Sequence, residues 1–392
     1  MNILYIGQVI NIEDQIKYSG CSVAGNKMQY NILSNLIDND SVHFDFITVL
    51  PVAAFPKDNR VYYKKQRVYL NKGVVGTAVG FINFPFIKQL GQVINTYRCA
   101  RKKIDKNTVV LTYNMYPQIG LPAKWLKKKY GCKIVSVIAD PPIDDAAGHR
   151  SGIGNKVSDV FNDITRNCIR ECDGIIALNK NAVDKYAPNT PYVIVEGGVN
   201  LDEYTKEPLT QVDSRNLVYS GALTDYSGVR QLVDAMEYVK SDVVLEIYGG
   251  YLKEYIEQKS LQNGRVVFKG SVDNKSMLEI QRKSYILVKP RPTNDPISQV
   301  TFPSKMFEYM MSGRPVLTTR LNGLHEEYRE HLFFIDDESP KGIATAIDKM
   351  ISSGDDKLNV VAIGARSFIE REKNWKNQGK KILDFVSHIS NS

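Results

Sequence analysis

Ser304, Lys305 and Glu308 stand in the segment 296–319, PISQVTFPSKMFEYMMSGRPVLTT. A hydroxyl and an ammonium at the start of a helix suit an anion, because the first turn exposes unpaired N–H groups and partial positive charge. A carboxylate one turn later can accept bonds from a pair of sugar hydroxyls. A nucleotide sugar has both partners: phosphates for the helix tip and ribose for its side. The segment reads as loop, helix and strand. Pro303 fits a first helical turn, where a missing N–H costs nothing. Residues 304–312 place Ser304, Lys305, Glu308 and Ser312 on one side, with Met306, Phe307 and Met310 largely elsewhere. Gly313 is placed to end the helix in the left-handed conformation. Residues 316–318 resume as a buried strand after Pro315. A plain amphipathic helix with a solvated polar face fits the same spacing, so the surrounding chain has to decide.

Two alternating series of strands and helices surround this segment. In the first, strands are expected at 2–10, 43–50, 109–113, 133–139, 174–178 and 193–195. Helices end near 37 and span 121–130 and 157–172. The second series has strands at 216–220, 243–248, 265–269, 285–288, 315–319 and 332–335. Its helices are 228–239, 251–260, 275–283, 304–312, 341–352 and a broken 361–390. Alternation of this kind builds α/β domains on parallel sheets. We expect two Rossmann-like doubly wound domains facing across a cleft: 1–205, 206–365, and a C-terminal helix 366–392 crossing back to the first. Sites in such sheets lie at the carboxyl ends of strands. Asp140-Pro141-Pro142 occupies one such end and runs on to Asp144, Asp145, His149 and Arg150. Lys289 and Arg291, in VKPRP, occupy another. Gly20 and Gly25 fall in a turn between the first strand and helix, though not as GxGxxG. Asp38-Asn39-Asp40 has DxD form but reads as a turn, so no metal site is inferred.

Composition sets bounds. The 392 residues are 43% hydrophobic and 24% charged, as in a soluble globular protein of two ordinary domains. Five scattered cysteines form no CxxC pair and argue for a reducing compartment. The start MNILYIGQVI reads as a strand and not as a signal peptide. Residues 55–133 hold 17 Lys/Arg against 2 Asp/Glu, which implies an anionic partner. Lys64, Lys65 and Arg67 precede the apolar stretch 74–87, and Arg101, Lys102 and Lys103 follow it. Lys127, Lys128 and Lys129 form a second cluster beside Trp125. The apolar stretch is too short to span a bilayer. Apolar surface flanked by Lys and Arg fits an interfacial membrane element, or else a buried helix with a basic rim.

FPSKMFEYMMSGRPV closely resembles the donor-site signature of GT-B glycosyltransferases of family 4, the group 1 glycosyl transferases, especially bacterial polysaccharide-assembly members. The resemblance covers the second half well and the first half loosely. It implies an acceptor-binding first domain and a nucleotide-binding second one. Gly221 resembles the opening of the donor domain, and Val272 the segment that meets the base. Family members carry Arg just after that glycine and Lys five residues later; here Ala222 and Ser227 stand there, and Lys289, Arg291 and Lys305 are candidate replacements. Glu308 matches the second Glu of the E-x7-E pair, which holds ribose. Val300 stands where the first would be, leaving its corner to Asp295, Ser298, Gln299 or Thr301. In the first domain Gly20 and Gly25 resemble the glycine turn near the phosphates. Asp140 and His149 lie near the place of an acidic or histidine residue beside the reacting sugar, and neutral His149 could exchange a proton near pH 7.

The resemblance implies transfer of a sugar, with retained anomeric configuration and without metal or cofactor, from a UDP- or GDP-linked donor. The acceptor would be a carbohydrate, plausibly a polyprenyl-diphosphate-linked oligosaccharide in surface polysaccharide biosynthesis. The basic region fits a peripheral place on the anionic inner face of the cell membrane, and no nucleic-acid partner is expected. Other readings are a GT-B nucleotide-sugar epimerase, a non-catalytic protein binding nucleotide sugar or anionic lipid, and a transferase that has lost turnover.

Overall fold

In this computed structural model the structure describes residues 1–37, 42–70, 73–85, 87–142, 153–204, 212, 214–250 and 252–392. The chain forms two compact units. One is Met1–Gly197 with Trp375–Ser392, and the other is Gly198–Asn374. The breaks therefore fall at 197/198 and 374/375, where the sequence suggested 205/206 and 365/366. The reason is local: Val199 pairs with Asn374 in an isolated bridge, and its N–H donates to the Lys373 carbonyl at 2.9 Å, so both of these chain segments belong to the second unit.

The first unit runs β1 (Asn2–Gly7), α1 (Val23–Ile37), β2 (His43–Thr48), β3 (Tyr62–Tyr63), β4 (Gln66–Tyr69), β5 (Val75–Ala78), β6 (Phe81–Ile82) and α2 (Ile87–Ala100). It continues with β7 (Thr108–Tyr113), α3 (Pro117–Tyr130), β8 (Lys133–Ile138), α4 (Ile153–Ile169), β9 (Gly174–Ala177), α5 (Lys180–Tyr186) and β10 (Tyr192–Ile194). Eight strands make one sheet in the order β10-β9-β8-β7-β1-β2-β5-β4, parallel except for the edge pair β4–β5. β1 is central, with Ile3 opposite both Phe44 and Val109. Ile3, Leu4, Tyr5 and Ile6 are all buried, as a strand covered on both faces requires.

The stretch 74–87 is not a helix. It forms β5, β6 and a connecting loop, and helix begins only at Ile87. Gly76 packs its Cα directly on the Phe46 ring, a fit that suits a strand. α1 also starts earlier than expected, so Gly25 lies inside its first turn and not in the loop before it. The Asp38–Asp40 turn lies outside the described residues.

The second unit runs β11 (Asn216–Ser220), α6 (Val229–Ala235), β12 (Val244–Tyr248), α7 (Lys253–Gln262), β13 (Val266–Gly270), α8 (Asn274–Lys283) and β14 (Ile286–Lys289). Then come α9 (Pro296–Val300), α10 (Lys305–Met311), β15 (Val316–Thr319), β16 (Phe333–Ile335), α11 (Pro340–Ser352) and α12 (Asp355–Glu372). Its six strands are all parallel, in the order β13-β12-β11-β14-β15-β16. Leu217, Leu245, Ile286 and Val288 join Leu232, Ile256 and Ile347 in its core. The final helix, α13 (Trp375–Asn391), packs on α1 and on β7–β10 of the first unit, burying Trp375, Ile382, Val386 and Ile389. Among the described residues no helix is long and apolar enough to cross a membrane.

Candidate functional site

The switch in strand order of the second sheet lies between β11 and β14, and such a crevice is where open α/β sheets bind ligands. Gly221 leaves the end of β11 beside the Lys289 ammonium: a Cβ there would sit 3.2 Å from Lys289 Nζ. Lys289, the last residue of β14, is only 8% exposed. Its Nζ donates to the Tyr219 hydroxyl at 3.4 Å and lies 4.8 Å from the Tyr219 ring centroid. No described carboxylate pairs with it. A lysine this buried, with a phenol and a ring as company, still has donors for an anion. The Tyr219 hydroxyl donates onward to the Ala222 carbonyl at 3.0 Å, so the place of the family's arginine is a backbone acceptor held by this tyrosine. Ser227, in the place of the family's lysine, is buried and donates to the Thr224 carbonyl at 2.6 Å, a turn-closing role.

The α10 helix is pinned to this crevice through Tyr309. Its hydroxyl accepts from the Ser220 N–H at 2.7 Å and lies 3.2 Å from both Ser220 Oγ and the Ser220 carbonyl oxygen. Burial, above all, raises its phenol pKa. So α10, which carries Lys305 and Glu308, meets the residue just before Gly221. Pro303 is not in the helix: Ser304 is the N-cap residue, without a side-chain capping bond, and the Pro303 carbonyl accepts from Met306 N–H at 2.8 Å. Gly313, at φ +73°, ends the helix in the expected left-handed turn.

Glu308, expected from the sequence to hold ribose, is paired with Lys305 in this structure. Lys305 Nζ donates to Glu308 Oε2 at 2.5 Å, a contact that i,i+3 spacing on one helix face permits. Glu308 also borders, with Tyr204 and Ser312, a hollow of about 30 Å³, too small for a sugar. The Tyr204 phenol is raised, first by burial and then by the nearby Glu308 charge. Arg291 and Thr301 form one bonded set: the guanidinium donates to Ser298 Oγ at 2.8 Å and Thr301 Oγ1 at 3.1 Å. This ties the short α9 to the β14 edge. Burial lowers the Arg291 pKa, with Asp295 opposing. Val300 is buried, and the nearby carboxylate is Asp295, whose charge acts on Arg291. Val272, beyond β13, is exposed.

In the first unit, Gly20 donates its N–H to the Pro51 carbonyl at 3.0 Å, and Gly25 to Ser22 Oγ at 3.2 Å. Asp140 follows β8. Its Oδ2 accepts from Asn114 Nδ2 at 3.2 Å, and Asn114 Oδ1 accepts the N–H groups of Ala139 and Asp140. Asn114 is buried and holds φ +56°, a region few non-glycine residues occupy. The Asp140 carboxyl is raised by desolvation, the Asn114 amide opposing, although part of the residue remains exposed. That combination describes a group at the rim of a packed wall. His149, with Asp144, Asp145 and Arg150, lies outside the described residues.

The basic cluster is divided. Lys65, Arg101, Lys102 and Lys103 rim a groove of about 700 Å³ floored by Phe81, Ile87 and Leu90. Leu90 is 61% exposed. Lys103 is paired with Asp45 at 2.7 Å. Lys64 and Arg67 stand exposed nearby in the chain. Lys127 instead serves the fold, bridging Asp173 at 2.9 Å, whereas Lys128 and Lys129 are exposed. Among the described residues no cluster of three or more His, Cys, Asp or Glu is placed to hold a metal ion.

Residues 214–353 match the family model described as glycosyl transferases group 1. The match covers that segment, which lies wholly within the second unit. Solved structures extend the likeness to the whole chain. Sucrose-phosphate synthase from Thermosynechococcus elongatus aligns with a TM-score of 0.69 at 13% identity over 98% of each chain. The lipopolysaccharide outer core galactosyltransferase WaaB, in its apo form, gives 0.67 at 14% identity over 99% of each. HepE of Anabaena, in complex with UDP, gives 0.66 at 15% identity over 99% of this chain and 100% of that one. At such identities the likeness shows the fold, which is GT-B with two Rossmann-like domains. No curated protein matches the chain. Within the matched segment, sequence reasoning missed Tyr219 and Tyr309. The signal for Tyr309 was present in FEYM, as a tyrosine on the buried side of the helix.

Proposed function

We propose that the protein transfers a sugar from a nucleoside diphosphate sugar to a carbohydrate hydroxyl. The observation that carries this reading is Lys289: a buried ammonium with no carboxylate partner among the described residues, at the strand end beside Gly221, inside the segment that matches the glycosyltransferase family model. In transfer, the bond from the anomeric carbon to the diphosphate oxygen breaks and a bond to the acceptor oxygen forms. The acceptor hydroxyl loses its proton, and charge develops on the leaving diphosphate. A preorganised ammonium, aided by backbone N–H groups, stabilises that charge without reorganising. Lys305 is the second cation of the site, and ribose hydroxyls replace it as partners of Glu308. A UDP- or GDP-linked donor, retention, metal independence, and a lipid-linked saccharide acceptor in surface polysaccharide assembly complete the proposal. Asp140 is the candidate group beside the reacting sugar.

The test is release of free nucleotide from a panel of UDP- and GDP-sugars, with and without chelator, in the presence of saccharide acceptors. Turnover with one donor, indifferent to chelator, supports the reading; none with any of them counts against it. Glu308→Ala should weaken nucleotide binding by about 1–3 kcal/mol, the range for a bond to a charged group. Calorimetric titration measures this, and unchanged affinity removes Glu308 from the ribose site. A donor-binding protein without turnover is the second reading, favoured by Ala222, Ser227 and Val300 standing where family members carry charge. Binding without nucleotide release would select it.

The groove rimmed by Lys65, Arg101 and Lys102 supports a peripheral place on an anionic membrane, each cation near such a surface contributing about 1 kcal/mol. Co-sedimentation with phosphatidylserine vesicles should be strong at low salt and fall as salt rises toward 0.5 M. Absence of binding at low salt would leave these cations to a dissolved partner.

A further inference from the structure

A second cavity, of about 320 Å³, opens in the first unit and has no part in the donor site. Its walls come from the loops that follow β1 and β2, the start of α3, and one side each of α2 and α4. It thus lies at the carboxyl edge of a parallel sheet, where α/β folds place ligands. Its chemistry is specific. Gln8, Gln92 and Gln118 bring carboxamides to it, and Tyr116 and Phe161 bring rings. Gln92 is only 3% exposed, and Gln89 Oε1, also in the lining, is buried with no hydrogen-bond partner among the described residues. A buried amide without partners costs stability unless something arrives to bond it. Carboxamides that both donate and accept match neighbouring sugar hydroxyls, and aromatic faces match the apolar face of a pyranose. A volume near the lower end of ligand pockets, about 300–1,000 Å³, suits one sugar or two.

Lys88 separates this cavity from a merely polar one. Its ammonium donates to the Val52 carbonyl and lies 5.9 Å from the Phe81 ring centroid. Desolvation lowers its pKa, opposed by the charge of Asp58, with which it makes no ion pair. Asp58 is engaged elsewhere, accepting from Tyr63, Ser19 and the Arg60 N–H. So a half-buried ammonium without a paired carboxylate among the described residues borders a carboxamide-lined cavity. We propose that this cavity binds a saccharide unit bearing one anionic substituent, carboxylate or phosphate, with Lys88 as the pairing cation. The inference deepens the acceptor side of the proposed transferase and rests on that reading. It names the acceptor as an acidic or phosphorylated sugar.

The experiment titrates the full chain with glucuronic acid, glucose 6-phosphate and glucose at constant ionic strength, read by calorimetry or ligand-observed NMR. UDP is titrated in parallel. At least one anionic sugar should bind tenfold or more tightly than glucose, as bonds to a charged group allow. Which of the two does so tells a carboxylate from a phosphate ligand. Lys88→Met should abolish the preference and leave glucose binding as it was, with the thermal transition confirming a folded chain. If that variant does not fold, Lys88→Gln takes its place. Equal binding of charged and neutral sugars overturns the proposal, as does a preference that survives loss of the ammonium. If UDP binds and no saccharide does, the inference falls and the donor reading stands. Failure of UDP as well counts against both.

Discussion

Lys289→Met is expected to lower kcat/KM for nucleotide-sugar turnover by about 10²–10³, the cost of removing one preorganised stabiliser of developing negative charge. The same change should leave the thermal midpoint where it was, or raise it. Methionine has a similar length and no charge, and Lys289 gives up only a 3.4 Å bond to Tyr219 and a contact with its ring. Replacing a buried charge that lacks an opposite partner by an apolar chain is often neutral or stabilising. A residue whose loss damages turnover but not folding is retained for function. If midpoint and activity fell together, Lys289 would be a structural residue and the site would lose its chief cation.

Gly228→Ala should destabilise the second unit by about 3 kcal/mol or more. Gly228 holds φ +75°, and a Cβ there would lie 1.7 Å from the Pro290 carbonyl oxygen, a backbone atom that cannot swing aside. Left-handed backbone and a main-chain clash are both in the short list of causes of large losses. In a domain of this size each kcal/mol moves the midpoint by about 2–4 °C, so a fall of about 6–12 °C is expected. Pro290 directly follows Lys289, so the same glycine holds the loop after β14 against the start of α6. Gly264→Ala is the control: nothing lies within 4 Å of its Cβ position, and its midpoint should barely move. A small loss at Gly228 would mean that this loop shifts freely, and that Lys289 is less firmly placed than the geometry indicates.

The parts of the site legible in the sequence were those with a local signature. The helix 304–312 and its glycine stop follow from propensity and capping, and VKPRP is visible as a strand end. What the sequence hid were partnerships between distant residues. Tyr309 reaches Ser220 across 89 positions, and Lys289 reaches Tyr219 across 70. Neither pairing has any periodic trace. The Lys305–Glu308 pair is legible from i,i+3 spacing, because opposite charges one turn apart on a helix face meet each other when no ligand intervenes. The stretch 74–87 misled for another reason: its apolar residues are shared between strands of two to four residues, too short to show alternation. α9, at Pro296–Val300, was likewise too short to stand out from its loop, although a proline at its first position is an ordinary helix start. Asn114 carries no motif, and only its left-handed backbone and its bonds to Asp140 mark it.

The central claim is that the second unit holds a nucleotide at the β11–β14 edge. The most direct measurement is thermal stabilisation of the full chain, and of Lys289→Met, by UDP, GDP and CMP with and without chelator. A ligand that binds only the folded state raises its stability by about 2.7 kcal/mol at a hundred times its Kd. The midpoint should rise with one of the diphosphates, unaffected by chelator, and the rise should be much reduced in Lys289→Met. No rise with any nucleotide, or an equal rise in the variant, would contradict it.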